Sequence, residues 1–193
     1  MRKLIHLAAL LALAVSPLVA TAPLPRKSSD LTFYEPGGKT TLLSAFKGKV
    51  VVIEFLFVGS QHCQRVATTI NKLHGELGAR GLQPVGIAFG PNANGANVYQ
   101  LAQTLKLTYP LGYASKEEVD SFLARGQYEV LNIPQVVVID RAGMIRAQSG
   151  VKGGDPALEK EDSLRALVDS LLKEETPSHS QKPHASTSPR AKG

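Results

Sequence analysis

Residues 50–57 read VVVIEFLF, and no other stretch limits the fold as much. The run is β-branched and apolar almost throughout, the pattern of a strand buried on both faces of a sheet. Such a strand needs helices above and below it, and the chain supplies them. Between Gln61 and Ala79, Val66, Ile70, Leu73 and Leu77 recur at spacings of four, three and four. This predicts a helix ended by Gly81. LQPVGIAF (82–89) reads as the next strand and ANVYQLAQTLKL (96–107) as a second helix, with Val98, Leu101 and Leu105 on one face. TYPLGY (108–113) is a short extended piece. A third helix starts at Ser115, where Glu118 completes a capping-box spacing. QVVVID (135–140) and MIRAQSG (144–150) form an antiparallel pair around Ala142-Gly143. Residues 155–174 read as one closing helix, with Asp155 as cap, Pro156 at its first position and Leu164, Leu167, Val168 and Leu171 as its apolar stripe.

Ahead of the first core strand, LTFY (31–34) and TTLL (40–43) flank Gly37-Gly38, a hairpin signature. Residues 23–30 read as an irregular lead-in. The element order therefore predicts an α/β, three-layer domain over residues 31–174, with a mixed central sheet flanked by helices and an N-terminal β-hairpin.

The ends differ from this body. Residues 1–22 carry Arg2 and Lys3, an apolar stretch from Leu4 to Val15, and Ala20-Thr21-Ala22. A stretch this short falls below the roughly 20 residues needed to span a bilayer. The pattern is that of a signal peptide cleaved after Ala22, so the protein is expected to be exported, periplasmic or secreted, without stable membrane insertion. Residues 175–193 are rich in Ser, Pro, His and Lys and poor in apolar side chains, the composition of a disordered tail. Most of the net charge of +6 resides at these ends. Setting aside Arg2, Lys3, Lys182, Arg190 and Lys192 leaves +1 for residues 23–175. No nucleic-acid surface follows from it, because a basic footprint must sit on the folded domain.

The chain has one cysteine, Cys63, in FVGSQHCQRV (57–66). If Ser60 caps the helix that follows, Cys63 lies in its first turn, facing unsatisfied amides and the positive end of the dipole. That placement lowers a thiol pKa. The Ser60 hydroxyl is placed to accept from the Cys63 amide or to donate to its sulfur. A free cysteine is also among the most often buried residues and packs as a small hydrophobe. Both readings of Cys63 stay open at this point. His62 is adjacent but at a spacing where side chains on a helix do not face each other. Glu54, within the first core strand, is a candidate buried carboxylate.

The segments LTFYEPGGKTTLLSAFKGKVVVIEFLF and YEVLNIPQVVVIDRAGMIR resemble the thioredoxin fold, and within it the TlpA/ResA-type and AhpC/TSA peroxiredoxin-like redoxins. The resemblance covers about residues 30–173. It implies that Ile133-Pro134 is a cis bond facing the active site, and that residues 60–63 occupy the place of a CxxC motif. Ser60 then stands where the attacking cysteine would be, and Cys63 where the resolving one would be. The usual dithiol reaction is excluded, because serine is a poor nucleophile toward sulfur and no second thiol is present. Ser60-x-x-Cys63 also fits the Thr/Ser-x-x-Cys turn of peroxiredoxins, although Leu56 stands where that motif has proline. Arg65 and Arg125 are the candidates for the arginine that family keeps near its thiolate.

Two functions follow as expectations. One is an antioxidant, thiol-dependent oxidoreductase or peroxidase acting through Cys63, Ser60 and Pro134, with an external thiol reductant as partner. The other is a redox-inactive module that docks a partner protein's peptide beside Pro134. Neither needs a cofactor. A metal site is not expected: His74 is eleven residues beyond Cys63, no second cysteine exists, and His179 and His184 lie in the tail. The GPNANG loop lacks the lysine and spacing of a phosphate loop.

Overall fold

The computed structural model describes residues 23–125, 129–150 and 154–174. The expected signal peptide and tail lie outside the described residues. Eight strands form one sheet in the order β1-β8-β7-β4-β5-β6-β2-β3. They are β1 (Arg26–Lys27), β2 (Thr32–Tyr34), β3 (Thr40–Leu42), β4 (Val50–Leu56), β5 (Leu82–Ala88), β6 (Leu111–Tyr113), β7 (Gln135–Ile139) and β8 (Met144–Gln148). The helices are α1 (Gln61–Leu77), α2 (Gly95–Leu105), α3 (Lys116–Leu123) and α4 (Glu161–Lys173).

The apolar run forms the centre. Every residue of β4 is buried. It pairs parallel with β5 on one side and antiparallel with β7 on the other. Its side chains alternate between two cores. Val51, Ile53 and Phe55 pack with Val119, Phe122 and Leu123 of α3. Val50 and Val52 pack with Val66, Ile70 and Leu73 of α1 and with Leu164 and Val168 of α4. Leu56, at the end of the strand, joins Cys63 and the Val98 and Leu101 stripe of α2. The mixed sheet therefore has α1, α2 and α4 on one face and α3 on the other. The β4–α1–β5–α2–β6 connections put both helices on the same face because the strands progress in one direction across the sheet.

Local signals account for most boundaries. Asn94 caps α2 through its side chain. Ser115 and Glu118 form the reciprocal capping box at α3. Gly37 and Gly38 both have positive φ in the turn between β2 and β3. Gly112 is required by packing, since a Cβ there would lie 2.5 Å from a Phe33 ring carbon and 2.7 Å from the Tyr34 carbonyl oxygen.

Two expectations are corrected. The lead-in is not wholly irregular: Arg26 and Lys27 pair with Ile145 and Met144 as an edge strand. Two charged residues carry no periodicity to read. The strand is held by the Arg26 guanidinium, which donates to the Phe122 and Leu123 carbonyls (3.3 Å each) and to Gln148 Oε1 (2.9 Å). The closing helix does not start at Asp155. Asp155 and Pro156 begin a short 3-10 turn, Pro156–Glu159, and α4 follows after an extended Lys160 (φ −98°, ψ 139°). Leu158 and Leu164 are both buried in the same core. On one continuous α-helix they would point about 120° apart. The break lets both reach the sheet.

Candidate functional site

Strand β4 ends at Leu56, and the chain turns through Phe57–Ser60 into α1. The Ser60 amide donates to the Phe57 carbonyl (3.0 Å), closing this turn. Ser60 has extended backbone and caps α1: its Oγ accepts from the Cys63 amide at 3.3 Å. The Gln64 side chain donates to the Val58 carbonyl at 3.1 Å, tying the helix start back to the turn. Ser60 itself is partly exposed, whereas Cys63 is fully buried. Its neighbours are Leu56, Ala88, Val98, Leu101 and Leu111, with Val58 and Ile133 at the margin. Burial pushes the Cys63 thiol up, and the charge of nearby Glu54, when that carboxyl is ionised, adds to this. The Ser60 hydroxyl and the backbone of Phe57 pull the other way, and less strongly. A helix N-terminus lowers a thiol pKa only where the thiolate does not first lose its water. Here desolvation wins.

Pro134 enters the same region from β7. Gln135 pairs with Phe55, which places Pro134 beside the end of β4 and the Ser60 turn. The Ile133-Pro134 bond is cis. Ile133 is half-buried against both the α3-side core and the cluster around Cys63. Just before it, Val130 is 78% exposed, the most exposed large apolar side chain among the described residues. Pro134, some seventy residues further along the chain, is thus brought beside Ser60 and Cys63 at one end of the sheet.

Glu54 faces the α1 side of β4 and is fully buried. Neither of its carboxyl oxygens has a hydrogen-bond partner. Burial drives its pKa far above the usual carboxylate range, and the negative charge of Glu159 adds to this. Glu54 in turn acts on Cys63 and on Tyr109. Tyr109 is buried and donates to the Ala67 carbonyl of α1 at 3.3 Å. Sequence reasoning missed Tyr109 and Glu159, because nothing local marks either as a neighbour of this strand.

The other candidates lie elsewhere or are engaged. His62 Nε2 is 3.2 Å from Glu159 Oε2, in the 3-10 turn before α4. Arg65 is exposed on α1. Arg125 pairs with Asp120 at 2.7 Å and also donates to the Glu129 carbonyl. Neither arginine is among the groups acting on the Cys63 thiol. His74 Nδ1 is hydrogen-bonded with the Thr108 hydroxyl at 2.9 Å. His179 and His184 lie outside the described residues. No helix among the described residues is long and apolar enough to cross a membrane.

Several solved structures are similar to the chain at low identity. A thiol:disulfide interchange protein of the thioredoxin family from Chlorobium tepidum matches with TM-score 0.63 and 22% identity, over 79% of this chain and 99% of that one. A thiol:disulfide interchange protein from a Bacteroides species matches with TM-score 0.62 and 18% identity, over 80% and 94%. BsSco, of the Sco family of cytochrome c oxidase assembly proteins, matches with TM-score 0.59 and 17% identity, over 79% and 97%. These likenesses establish a thioredoxin fold. No curated protein matches the chain. The model of the AhpC/TSA family matches residues 25–148, from β1 to the end of β8 and across the whole Ser60–Cys63 turn, and the chain belongs to that family.

Proposed function

We propose that this is an exported redoxin-family protein that docks an extended segment of a partner polypeptide beside Pro134, with Cys63 kept as a neutral, buried thiol. The observation that carries this reading is the division of the turn. The partly exposed position holds a hydroxyl, and the only thiol sits behind it with no exposed surface. A peroxide-attacking cysteine needs a solvated or cation-stabilised thiolate. The surroundings of Cys63 favour the protonated form instead. Pro134 itself is buried, and what remains accessible is the segment before it, with exposed Val130 and Asn132 and half-buried Ile133. An extended chain can lie there with backbone contacts setting affinity and side-chain pockets setting specificity. Export rests on the basic start, the apolar stretch and the small-residue site of residues 1–22.

A second reading is favoured by Glu54. An unpartnered buried carboxyl destabilises the fold, and strongly shifted groups of this kind cluster at functional sites. When the first turn of α1 opens, Glu54 in its ionised form can accept the Cys63 proton. The thiolate would attack a peroxide oxygen, breaking the O–O bond to give a sulfenic acid and release an alcohol or water. An external thiol would condense with the sulfenic acid, releasing water, and a second thiol would free Cys63.

One experiment separates the two. The protein is treated with stoichiometric peroxide, and sulfenic acid is trapped and weighed; in parallel, binding to a library of extended peptides is measured for wild type, Cys63→Ser and Val130→Asp. Docking predicts an unreacted Cys63 in native buffer, binding that survives Cys63→Ser, and binding that weakens in Val130→Asp. Oxidation of Cys63 within seconds, or peptide binding that needs its sulfur, would overturn the docking reading in favour of thiol chemistry.

A further inference from the structure

The far end of the sheet holds a second concavity, unrelated to the Cys63 site. It has a volume of about 380 Å³ and opens between β1, the turn after β3 and the β7–β8 turn. Val51 and Ile139, which line it, are paired across β4 and β7. They sit at the opposite end of β4 from the Ser60 turn, a seven-residue strand away, or roughly 20 Å.

Its floor is apolar: Leu43, Phe46, Val51 and Ile139. Its rim carries Lys27, Lys47 and Lys49, all exposed. Among the described residues none of the three makes an ion pair, whereas Lys39, Lys72 and Lys116 each have a carboxylate partner. The two carboxylates of the lining are already engaged. Asp30 accepts from the Ser44 amide (2.9 Å), the Ser44 hydroxyl (2.7 Å) and the Leu31 amide (3.0 Å), with Lys47 near enough to act on its charge. Asp140 accepts from the Ala142 and Met144 amides (3.0 and 2.9 Å) and from Arg146 (3.0 Å). The remaining cation, Arg141, donates to the carbonyls of Leu172, Glu174 and Arg80. An apolar floor under three ammonium groups with no ion pair among the described residues, Lys47 acting on Asp30 only through its charge, complements a small ligand with a hydrophobic body and an anionic head.

We infer that this cavity binds a free, small amphipathic carboxylic acid, its aryl or alkyl body on Phe46, Val51 and Ile139 and its carboxylate among Lys27, Lys47 and Lys49. The volume lies in the range of small-molecule sites. The site is independent of Cys63 and of whatever docks beside Pro134.

The test uses 4-phenylbutyrate, with 4-phenylbutanol and acetate as the uncharged and the bodiless controls. Backbone amide shifts are followed by NMR on the protein and on a Lys47→Glu/Lys49→Glu variant. The expected result is saturable shifts at Val51, Ile139 and Gly143, with each control and the variant binding at least about tenfold more weakly. Equal binding of the alcohol, unchanged binding by the variant, or shifts confined to the Ser60–Pro134 end would each overturn the inference. Anionic phospholipid vesicles form a further arm. Co-sedimentation that depends on Lys47 and Lys49, without any response to 4-phenylbutyrate, would also overturn it, assigning the rim to a membrane surface.

Discussion

The Ser60 hydroxyl accepts a hydrogen bond from the amide of Cys63 at 3.3 Å, and that one bond fixes the opposite fates of the two side chains. A capping residue stands outside the helix, with its backbone extended. The third helical residue has already rotated toward the sheet. Ser60 is therefore left at the mouth of the turn and Cys63 beneath it, against Leu56 and Ala88.

Burial of Cys63 predicts slow labelling. At pH 8, iodoacetamide should modify it at least about a hundredfold more slowly in native buffer than in denaturant, because the reagent must wait for local opening and the thiol is protonated. Intact mass against time is the measurement. Equal rates would mean that the sulfur is exposed.

Ser60→Cys should install a working dithiol. The new thiol would sit at a helix cap, partly exposed, with Cys63 behind it. Oxidised glutathione is expected to close the pair, read as loss of two thiol protons by mass, and the variant should gain disulfide-reducing activity that the wild type lacks. The lost cap would cost about 0.5–1 kcal/mol in the reduced form, the low end because the native bond is long. A variant that stays a dithiol under oxidising conditions would show that this turn is not built as a redox turn.

Glu54→Leu should stabilise the protein at neutral pH. The folded-state carboxyl has a raised pKa, so the native state holds its proton where the unfolded chain has lost it. Wild-type stability then falls as pH rises from the unfolded value, about 4.3, toward the folded one. The leucine variant lacks that loss. It should gain about 1–4 kcal/mol at pH 7, with a smaller gain at pH 4, in urea denaturation. A less stable variant at pH 7 would refute the idea that the carboxyl is an uncompensated burial.

Two glycines should respond with opposite signs. Gly112→Ala drives a Cβ into the Phe33 ring and the Tyr34 carbonyl, and should cost about 3 kcal/mol. Gly75→Ala, on α1 with open space around the new Cβ, should gain about 0.5–1 kcal/mol. Thermal melts of both variants check the pair; equal melting temperatures would mean that the β2–β6 contact is looser than described.

What the sequence determined was local. The apolar run at 50–57, the helical spacing from Val66 to Leu77 and the cap at Ser115 act through neighbours a few residues away, and those elements follow from them. The position of the Phe57–Ser60 turn that carries the candidate site was legible for the same reason, since a turn between a buried strand and a capped helix is written in contiguous residues. What the sequence left open was the state of Cys63. A helix start lowers a thiol pKa and burial raises it, and both are consistent with FVGSQHCQRV. The choice depends on Ala88, Val98, Leu101 and Leu111, which reach Cys63 only when β5, α2 and β6 have docked. Likewise, the short strand at Arg26–Lys27, the break at Lys160 and the lysine-rimmed cavity arise from partners many residues apart. Desolvation, charge pairing and close packing depend on distance in space, so the tertiary structure alone decided whether the one thiol of this chain meets water.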